Sequence, residues 1–192
     1  MNRIGLTGGI GSGKTLICNI FESFGVPVFY ADAESRNLVN DDPSVREDII
    51  RVFGEDVYVS GYLDRKKMAS LVFHDKNALQ RLNEIVHPAV REKFDRWMEK
   101  NSDHPYIVAE VAILLESGET SRFDMVVTVS APEDLRIHRV MKRDGINRED
   151  VLARIKNQLS EEERIRLADV VIVNDGTELV IPQVLRLHNS LI

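Results

Sequence analysis

Between residues 8 and 15 the chain reads Gly8-Gly9-Ile10-Gly11-Ser12-Gly13-Lys14-Thr15, which matches the pattern G-x-x-x-x-G-K-[ST] in full. A short apolar run, Asn2–Thr7, precedes this stretch, and a helical pattern of apolar residues follows it from Lys14. Glycines let the backbone wrap around phosphate oxygens with its amides pointing inward, and the helix N-terminus adds partial positive charge. The motif and its place between a strand and a helix therefore predict a loop that binds a nucleoside triphosphate.

Individual roles within this loop follow from the chemistry of its side chains. Lys14 is expected to reach the β- and γ-phosphates, and the Thr15 hydroxyl is expected to hold Mg²⁺. The predicted ligands are ATP and Mg²⁺, although the loop alone does not exclude GTP. The predicted nucleotide contacts are Gly8, Gly9, Ile10, Gly11, Ser12, Gly13, Lys14, Thr15 and Leu16.

The residues after the loop continue an alternating α/β pattern. Ile17, Ile20, Phe21 and Phe24 fall at helical spacing, and Gly25 is typical of a left-handed residue that ends a helix. Residues 26–31 then have the composition of a strand, which completes a βαβ unit and indicates a parallel sheet. Further strands are predicted at 106–111, 125–130 and 170–173.

The segment from residue 33 to about 105 differs, because it contains several helical patterns and no convincing strand. We interpret it as a helical insertion, in which Pro88 begins the last helix. Neither an internal repeat nor a low-complexity linker is present, so the sequence predicts one compact unit over 1–192.

Composition limits the possible partners. The 192 residues carry a net charge of −6, which argues against a nucleic-acid backbone as the main partner. The single cysteine, Cys18, excludes an intramolecular disulfide and is interpreted as a small buried apolar residue. Neither a signal peptide nor a membrane-spanning run is recognised, so we expect a cytoplasmic protein without a membrane partner.

Asp32 follows the second predicted strand, and ligands of open α/β sheets bind outside the carboxyl ends of strands. A carboxylate there can accept the proton of an attacking hydroxyl group. The alternative is an N-cap for a helix over 33–39, and the residues alone leave both interpretations open.

A basic cluster surrounds a glycine turn in the C-terminal half. Arg139 and Arg143 are four residues apart on one predicted helix, with Lys142, Arg148 and Arg154 nearby. These residues could form a lid over phosphates, or a solvated helix face paired with acids.

Other polar residues give weaker signals. His87 is interpreted as a packing or capping residue. Glu110 and Glu116 flank the end of the third strand and either order Mg²⁺ through water or are solvated acids. Asn174, in the turn after the last strand, lies at a position that could approach a nucleotide base.

Several segments beyond the loop resemble the dephospho-coenzyme A kinase family, in order along nearly the whole chain. Residues 5–15 are close to the family's opening, where Ser is usual in place of Thr15. The further similar segments are Tyr30-Ala31-Asp32, Gly61-Tyr62-Leu63-Asp64-Arg65, Val72-Phe73, Ile85-Val86-His87-Pro88, Arg139, Arg143-Asp144-Gly145, Arg154-Ile155 with Gln158, and Ala168-Asp169 with Asn174-Asp175-Gly176. The chain departs from the family at Ala112, where Pro is usual, and at Tyr30, where many members have Asp.

The resemblance implies a P-loop kinase-like three-layer α/β fold, in which a five-stranded parallel sheet is flanked by helices with the first strand at its centre. It implies a substrate-binding insertion over 33–105 and a lid over 140–150. The implied reaction is phosphorylation of the ribose 3′-hydroxyl of dephospho-coenzyme A, the last step of coenzyme A biosynthesis. The implied catalytic residues are Asp32, Lys14 and Arg139; Arg143 and Asn174 would also bind nucleotide, and Thr7, Asp32, Arg36, Arg65, His87 and Leu114 would bind substrate.

Three other functions remain open from sequence. The nearest is a P-loop kinase that acts on another small molecule, such as a nucleoside, nucleotide or sugar-like acid. A nucleotide-dependent switch would require a water-positioning glutamine, and none is obvious. A nucleic-acid-binding ATPase is disfavoured by the net charge of −6. We expect a monomer or a weak homo-oligomer.

Overall fold

The computed structural model describes residues 1–73 and 75–192. Over these residues the chain forms two compact units: Met1–Tyr30 together with Lys100–Ile192, and Ala31–Glu99. The single domain over 1–192 with an insertion over 33–105 stays a prediction. Each unit buries a cluster of apolar side chains of its own, which sequence periodicity does not reveal.

The strands and helices of the described residues follow one another along the chain. The strands are β1 (Asn2–Gly8), β2 (Val28–Tyr30), β3 (Tyr58–Val59), β4 (Tyr62–Leu63), β5 (Tyr106–Glu110), β6 (Met125–Ser130) and β7 (Val170–Val173). The α-helices are α1 (Lys14–Ser23), α2 (Ala31–Asp41), α3 (Pro43–Phe53), α4 (Arg65–Phe73), α5 (Lys76–Lys100), α6 (Leu114–Ser117), α7 (Glu133–Asp144), α8 (Arg148–Ile155), α9 (Glu161–Leu167) and α10 (Val180–Leu191). Short 3₁₀ helices cover Glu55–Val57 and Glu119–Arg122.

The first unit is built on a parallel sheet. Among the described residues the sheet has five strands in the order β2-β5-β1-β6-β7, and every neighbouring pair is parallel. Leu6 at the centre pairs with Glu110 on one side and with Val127 on the other. Residues 4–8 of β1 are buried throughout, as expected for a strand with covered faces in a parallel sheet. The predicted five-stranded sheet with a central first strand is confirmed.

Helix α1 connects the phosphate loop to the core. Ile17, Cys18 and Phe21 are buried on one of its faces. Gly25 follows the helix at φ +77°, as the predicted left-handed residue. Burial raises the pKa of the Cys18 thiol to about 12, so the thiol stays protonated near neutral pH and acts as a small apolar side chain, as predicted.

The second unit, Ala31–Glu99, has its own apolar core. The buried members of this core are Val39, Val45, Ile49, Val57, Met68 and Val86. A hairpin of β3 and β4 contributes to this unit, and the prediction that the insertion lacks strands is wrong on this point. Each strand has only two residues, so no alternation of apolar and polar residues could develop. The turn of Ser60 and Gly61, both at positive φ, is its main local signal.

The predicted helix boundary at Pro88 is also wrong. Pro88 lies inside the continuous helix α5 of 25 residues. Proline removes one helical hydrogen bond and disfavours a helical conformation at the preceding residue. Here Val86 and Phe94 are buried on either side of the proline, and this packing offsets the local cost.

No helix in residues 1–73 or 75–192 is both long enough and apolar enough to cross a membrane.

An ion pair joins the starts of two sheet strands. Arg3 donates three hydrogen bonds to the Asp124 carboxylate, one from its backbone and two from its guanidinium, at 2.8–3.0 Å. These hydrogen bonds lower the pKa of Asp124 to about 2 from an ordinary value of 3.8. The pair therefore stabilises the fold above about pH 4, and this contribution is lost as the pH falls through 2.

We predict that Asp124→Asn lowers the free energy of unfolding by about 0.5–1 kcal/mol at pH 7, because both side chains are more than one-third exposed. Urea unfolding of wild type and variant should show this difference shrinking between about pH 4 and pH 2. A constant difference across that range would contradict the assigned ion pair.

Candidate active site

The phosphate loop joins the carboxyl end of β1 to α1 through Gly13. This residue precedes the helix at φ +99°, and it provides no side-chain hydrogen bond to cap the helix. The first amides of α1 therefore lack a capping side chain, which suits them to an anion. A methyl group on Gly13 would collide with Nδ2 of Asn174. The position requires glycine both for its conformation and for space.

Lys14 is held beside the loop by two oxygen atoms. Its Nζ donates a hydrogen bond to the Gly8 carbonyl at 3.0 Å and lies 3.8 Å from Glu110 Oε1. The side chain is only 13% exposed, so its charge is partly desolvated. This arrangement places an ammonium group beside the loop, where phosphate oxygens can replace its present partners.

Arg139 and Asn174 contact the loop from α7 and from the residue after β7. Arg139 Nη1 donates to the carbonyls of Gly11 and Ser12 at 3.4 and 3.3 Å, and its Nη2 donates to Asn174 Oδ1 at 3.3 Å. Asn174 Nδ2 donates a shorter bond of 2.7 Å to the Ser12 carbonyl. Arg139, predicted as a catalytic residue, and Asn174, predicted to bind nucleotide, therefore both lie against the loop.

Ile10 attaches the loop to α7 and to the region of α8. Its backbone N–H donates to Gln158 Oε1 at 2.8 Å, and its side chain packs against the buried Ile137, Val140 and Val151. The loop is thus supported by residues that are distant in sequence.

Arg143 does not join Arg139 at the loop. It is exposed and donates two hydrogen bonds to the neighbouring Asp144, which also accepts from Arg154. These bonds raise the pKa of Arg143 and lower that of Asp144. Arg148 likewise pairs with Asp134. For these three arginines the interpretation as a solvated face paired with acids agrees with the observed contacts.

The loop and its surroundings fit a triphosphate with Mg²⁺. The side-chain oxygen of Ser12 is buried and has no hydrogen-bond partner in residues 1–73 and 75–192. Thr15 is exposed at the start of α1, where its hydroxyl can be a metal ligand. Within the described parts of the chain no cluster of three His, Cys, Asp or Glu could hold a metal. Mg²⁺ is often held by few protein groups together with phosphate oxygens, so Thr15 is a suitable ligand.

The two acids considered for Mg²⁺ have different surroundings. Glu110 lies beside Lys14, as described above. Glu116 Oε1 accepts a hydrogen bond from the backbone of Leu159 at 3.1 Å, so Glu116 fastens the segment before α9.

Asp32 lies in the first turn of α2, two positions after the last residue of β2. The helix begins at Ala31, so the alternative of Asp32 as the N-cap of a helix over 33–39 is not observed. A carboxylate in the first turn is still favoured by the helix dipole. The side chain is exposed, which leaves it accessible to a ligand.

The remaining predicted acceptor contacts in the second unit are accessible to different degrees. Arg36 is exposed one helical turn after Asp32, and Arg65 is exposed at the start of α4. His87 is half-buried and lines a cavity of about 620 Å³ along α5. Lys76, Glu84 and Arg91 line the same cavity, so it carries two basic groups and one acidic group.

Thr7 and Leu114 are fully buried in the first unit. The Thr7 hydroxyl donates a long hydrogen bond of 3.4 Å to the Ala112 carbonyl. Substrate contacts by these two residues stay predictions.

Comparison with known proteins shows to which family this chain belongs. The family model described as dephospho-CoA kinase matches residues 2–179 of the 192-residue chain. The chain belongs to the dephospho-CoA kinase family. A relative from Bacteroides fragilis, named dephospho-CoA kinase, is 40% identical over 96% of this chain and 90% of its own length. Membership of the dephospho-CoA kinase family makes the protein an ATP-dependent kinase with the P-loop kinase fold.

Solved structures agree with membership of the dephospho-CoA kinase family. A crystal structure of a Thermus thermophilus protein is 37% identical, with a TM-score of 0.88 over 98% of this chain and 96% of that one. The dephospho-CoA kinase from Campylobacter jejuni is 25% identical, with a TM-score of 0.72 over the same shares.

Sequence reasoning missed two arginines at the phosphate loop of this kinase. Arg136 and Arg164 are both 2% exposed and both approach Gly9. Arg136 lies three residues before Arg139 and so shares a helical face with it, a signal that could have been used. Arg164 offered no comparable signal, because a basic residue in an acidic helix is usually solvated.

We predict that Lys14→Ala greatly weakens nucleotide binding or turnover, because the loop loses its charged contact to the β- and γ-phosphates. The matched control is Lys100→Ala, which removes an exposed lysine from the end of α5. Steady-state kinetics and titration with ATP would check this. Unchanged kinetics in Lys14→Ala would remove the lysine from its assigned role.

Proposed function

We propose that the protein transfers the γ-phosphoryl group of ATP to the ribose 3′-hydroxyl of dephospho-coenzyme A, with Asp32 as general base. The products are coenzyme A and ADP, and the reaction is the last step of coenzyme A biosynthesis. The observation that carries this proposal is the family match over residues 2–179, which includes an intact phosphate loop.

Asp32 is assigned the proton transfer. The 3′-hydroxyl oxygen forms a bond to the γ-phosphorus while the bond from that phosphorus to the β,γ-bridging oxygen breaks. The hydroxyl proton passes to the Asp32 carboxylate, and ADP leaves with the bridging oxygen. The assignment is supported by the exposure of Asp32 and by its place just after β2, since ligands of α/β sheets bind beyond the carboxyl ends of strands.

The first unit is assigned to the nucleotide. Lys14 and the loop amides bind phosphate oxygens, Arg139 balances charge on the transferring group, and Asn174 holds the loop backbone. Thr15 would hold Mg²⁺, which neutralises phosphate charge when bound. Such a site acts mainly by alignment and electrostatics.

The second unit is assigned to the acceptor, which carries a diphosphate and a pantetheine arm. Arg36, Arg65 and His87 are the proposed contacts, and the cavity lined by His87 supports this assignment. In the first unit, Thr7 and Leu114 are kept as proposed pocket residues. Residues 140–150, with Arg143, are proposed as a lid that excludes water from the reaction.

The cellular setting is part of the proposal. We place the enzyme in the cytoplasm as a monomer or weak homo-oligomer, without a nucleic-acid partner. Its net charge of −6 supports the last point.

We predict that ATP, Mg²⁺ and dephospho-coenzyme A incubated with the protein yield coenzyme A, detected by mass as one added phosphoryl group. Parallel incubations with a nucleoside, a nucleotide and a sugar-like acid should show no acceptor-dependent release of ADP. Release of ADP with one of these acceptors, and none with dephospho-coenzyme A, would assign a different kinase activity.

We predict that Asp32→Asn lowers kcat by about 10²–10⁴-fold, because it removes the proton acceptor while keeping the side-chain shape. ATP affinity should stay nearly unchanged. Asp41→Asn is the matched control, because it removes an exposed carboxylate at the other end of α2. Near-normal turnover in Asp32→Asn would remove Asp32 from the base role.

A further inference from the structure

Two buried arginines lie against the phosphate loop. Arg136 of α7 and Arg164 of α9 are each 2% exposed. A methyl group on Gly9 would lie 2.7 Å from Arg164 Nη2 and would collide with Arg136 Nη1. The two guanidinium groups therefore meet at a residue of the loop assigned to triphosphate binding.

Within the described residues, some N–H groups of these two arginines lack a hydrogen-bond acceptor. Arg136 Nε donates to the Ala131 carbonyl at 3.1 Å, and Arg164 donates to the Leu159 carbonyl and, at 2.7 Å, to Glu161 Oε2. The same Glu161 oxygen is 3.8 Å from Arg136 Nη2, so one carboxylate serves both cations. In the parts of the chain that the structure describes, Arg136 Nη1 and Arg164 Nε have no hydrogen-bond partner, and on the acceptor side only Glu161 Oε1 of this cluster is likewise unpartnered.

A cavity of about 600 Å³ adjoins the pair. Arg136, Arg164, Gln158 and Ser160 line it together with the acids Glu133, Glu161 and Asp175. Buried guanidinium groups with unfilled donors are costly, and burial also lowers the pKa of Arg136. Buried polar groups without a partner in a native protein call for an explanation, and a bound anion would supply the missing acceptors.

We propose that Arg136 and Arg164 form an anion subsite that binds a phosphoryl group beside Gly9. This inference rests on the proposed use of ATP at the phosphate loop. The phosphoryl group is either the terminal phosphate of the nucleotide or a free inorganic phosphate, since both offer the same oxygen acceptors. In the first case the two arginines distinguish ATP from ADP at the loop.

Calorimetric titration tests the subsite with ADP, a non-hydrolysable ATP analogue and inorganic phosphate. The proteins are wild type, Arg136→Met, Arg164→Met and the control Arg186→Met, which changes an exposed arginine of α10. If the subsite holds the terminal phosphate, the Met variants at 136 and 164 bind the analogue about 10–100-fold more weakly and bind ADP nearly as wild type does. If it holds free phosphate, wild type binds inorganic phosphate and these variants do not.

Two outcomes overturn the proposal. In the first, the Met variants at 136 and 164 bind all three ligands as wild type does. In the second, they bind ADP and the analogue equally more weakly, which would show that the two arginines only hold the loop in shape. If the Met variants do not fold, Arg136→Lys and Arg164→Lys carry the test. The lysine variants keep the positive charge and lose the forked donors. Their preference for the analogue over ADP should therefore fall by a smaller factor than in the Met variants. These titrations use no acceptor, so a wild-type protein that binds the analogue but makes no coenzyme A refutes only the proposed function.

Discussion

The backbone conformation of the phosphate loop constrains every segment that packs against it. Gly13 must adopt φ +99° without a side chain so that the chain can turn from β1 into α1. The central place of β1 in the sheet puts this turn among the ends of several strands. Asn174 after β7, Arg139 of α7 and Gln158 after α8 each hydrogen-bond to loop backbone. Segments far apart in sequence therefore fix one short loop.

The charges around this loop explain how an acidic protein can bind a polyanion. The chain has a net charge of −6, yet Lys14, Arg136, Arg139 and Arg164 all lie beside the loop. Acids of the described residues that contact this group are few: Glu110 lies beside Lys14, and Glu161 forms ion pairs with both Arg136 and Arg164. The local positive charge therefore determines whether a small anion binds at the loop. The net negative charge of the chain instead disfavours large polyanionic partners such as nucleic acids. The more distant Arg143 and Arg148 are paired with acids, as is usual for surface cations.

Sequence reasoning succeeded where a short motif fixes the local structure. The loop and the first βαβ unit follow from the motif and the apolar spacing in residues 2–31, whereas the central place of β1 is implied by the family resemblance. Sequence reasoning failed where contacts between residues distant in sequence decide the local structure. Pro88 is an example, because packing keeps it inside the continuous helix α5. Arg139 and Arg143 share a helical face by spacing, but only Arg139 meets the loop, because Asp144 holds Arg143 at the helix end. Arg164 could not be assigned, since its burial depends on tertiary contacts of α9.

The backbone shape at Gly13 is expected to determine triphosphate binding. Titration of ATP and Mg²⁺ into Gly13→Ala and Gly25→Ala measures its effect. Both residues have positive φ, but only Gly13 would collide with a neighbour, whereas a methyl on Gly25 meets open space. The account predicts that Gly13→Ala weakens ATP binding by at least about tenfold while Gly25→Ala binds as wild type does. Wild-type affinity in Gly13→Ala, with the fold intact, would contradict it.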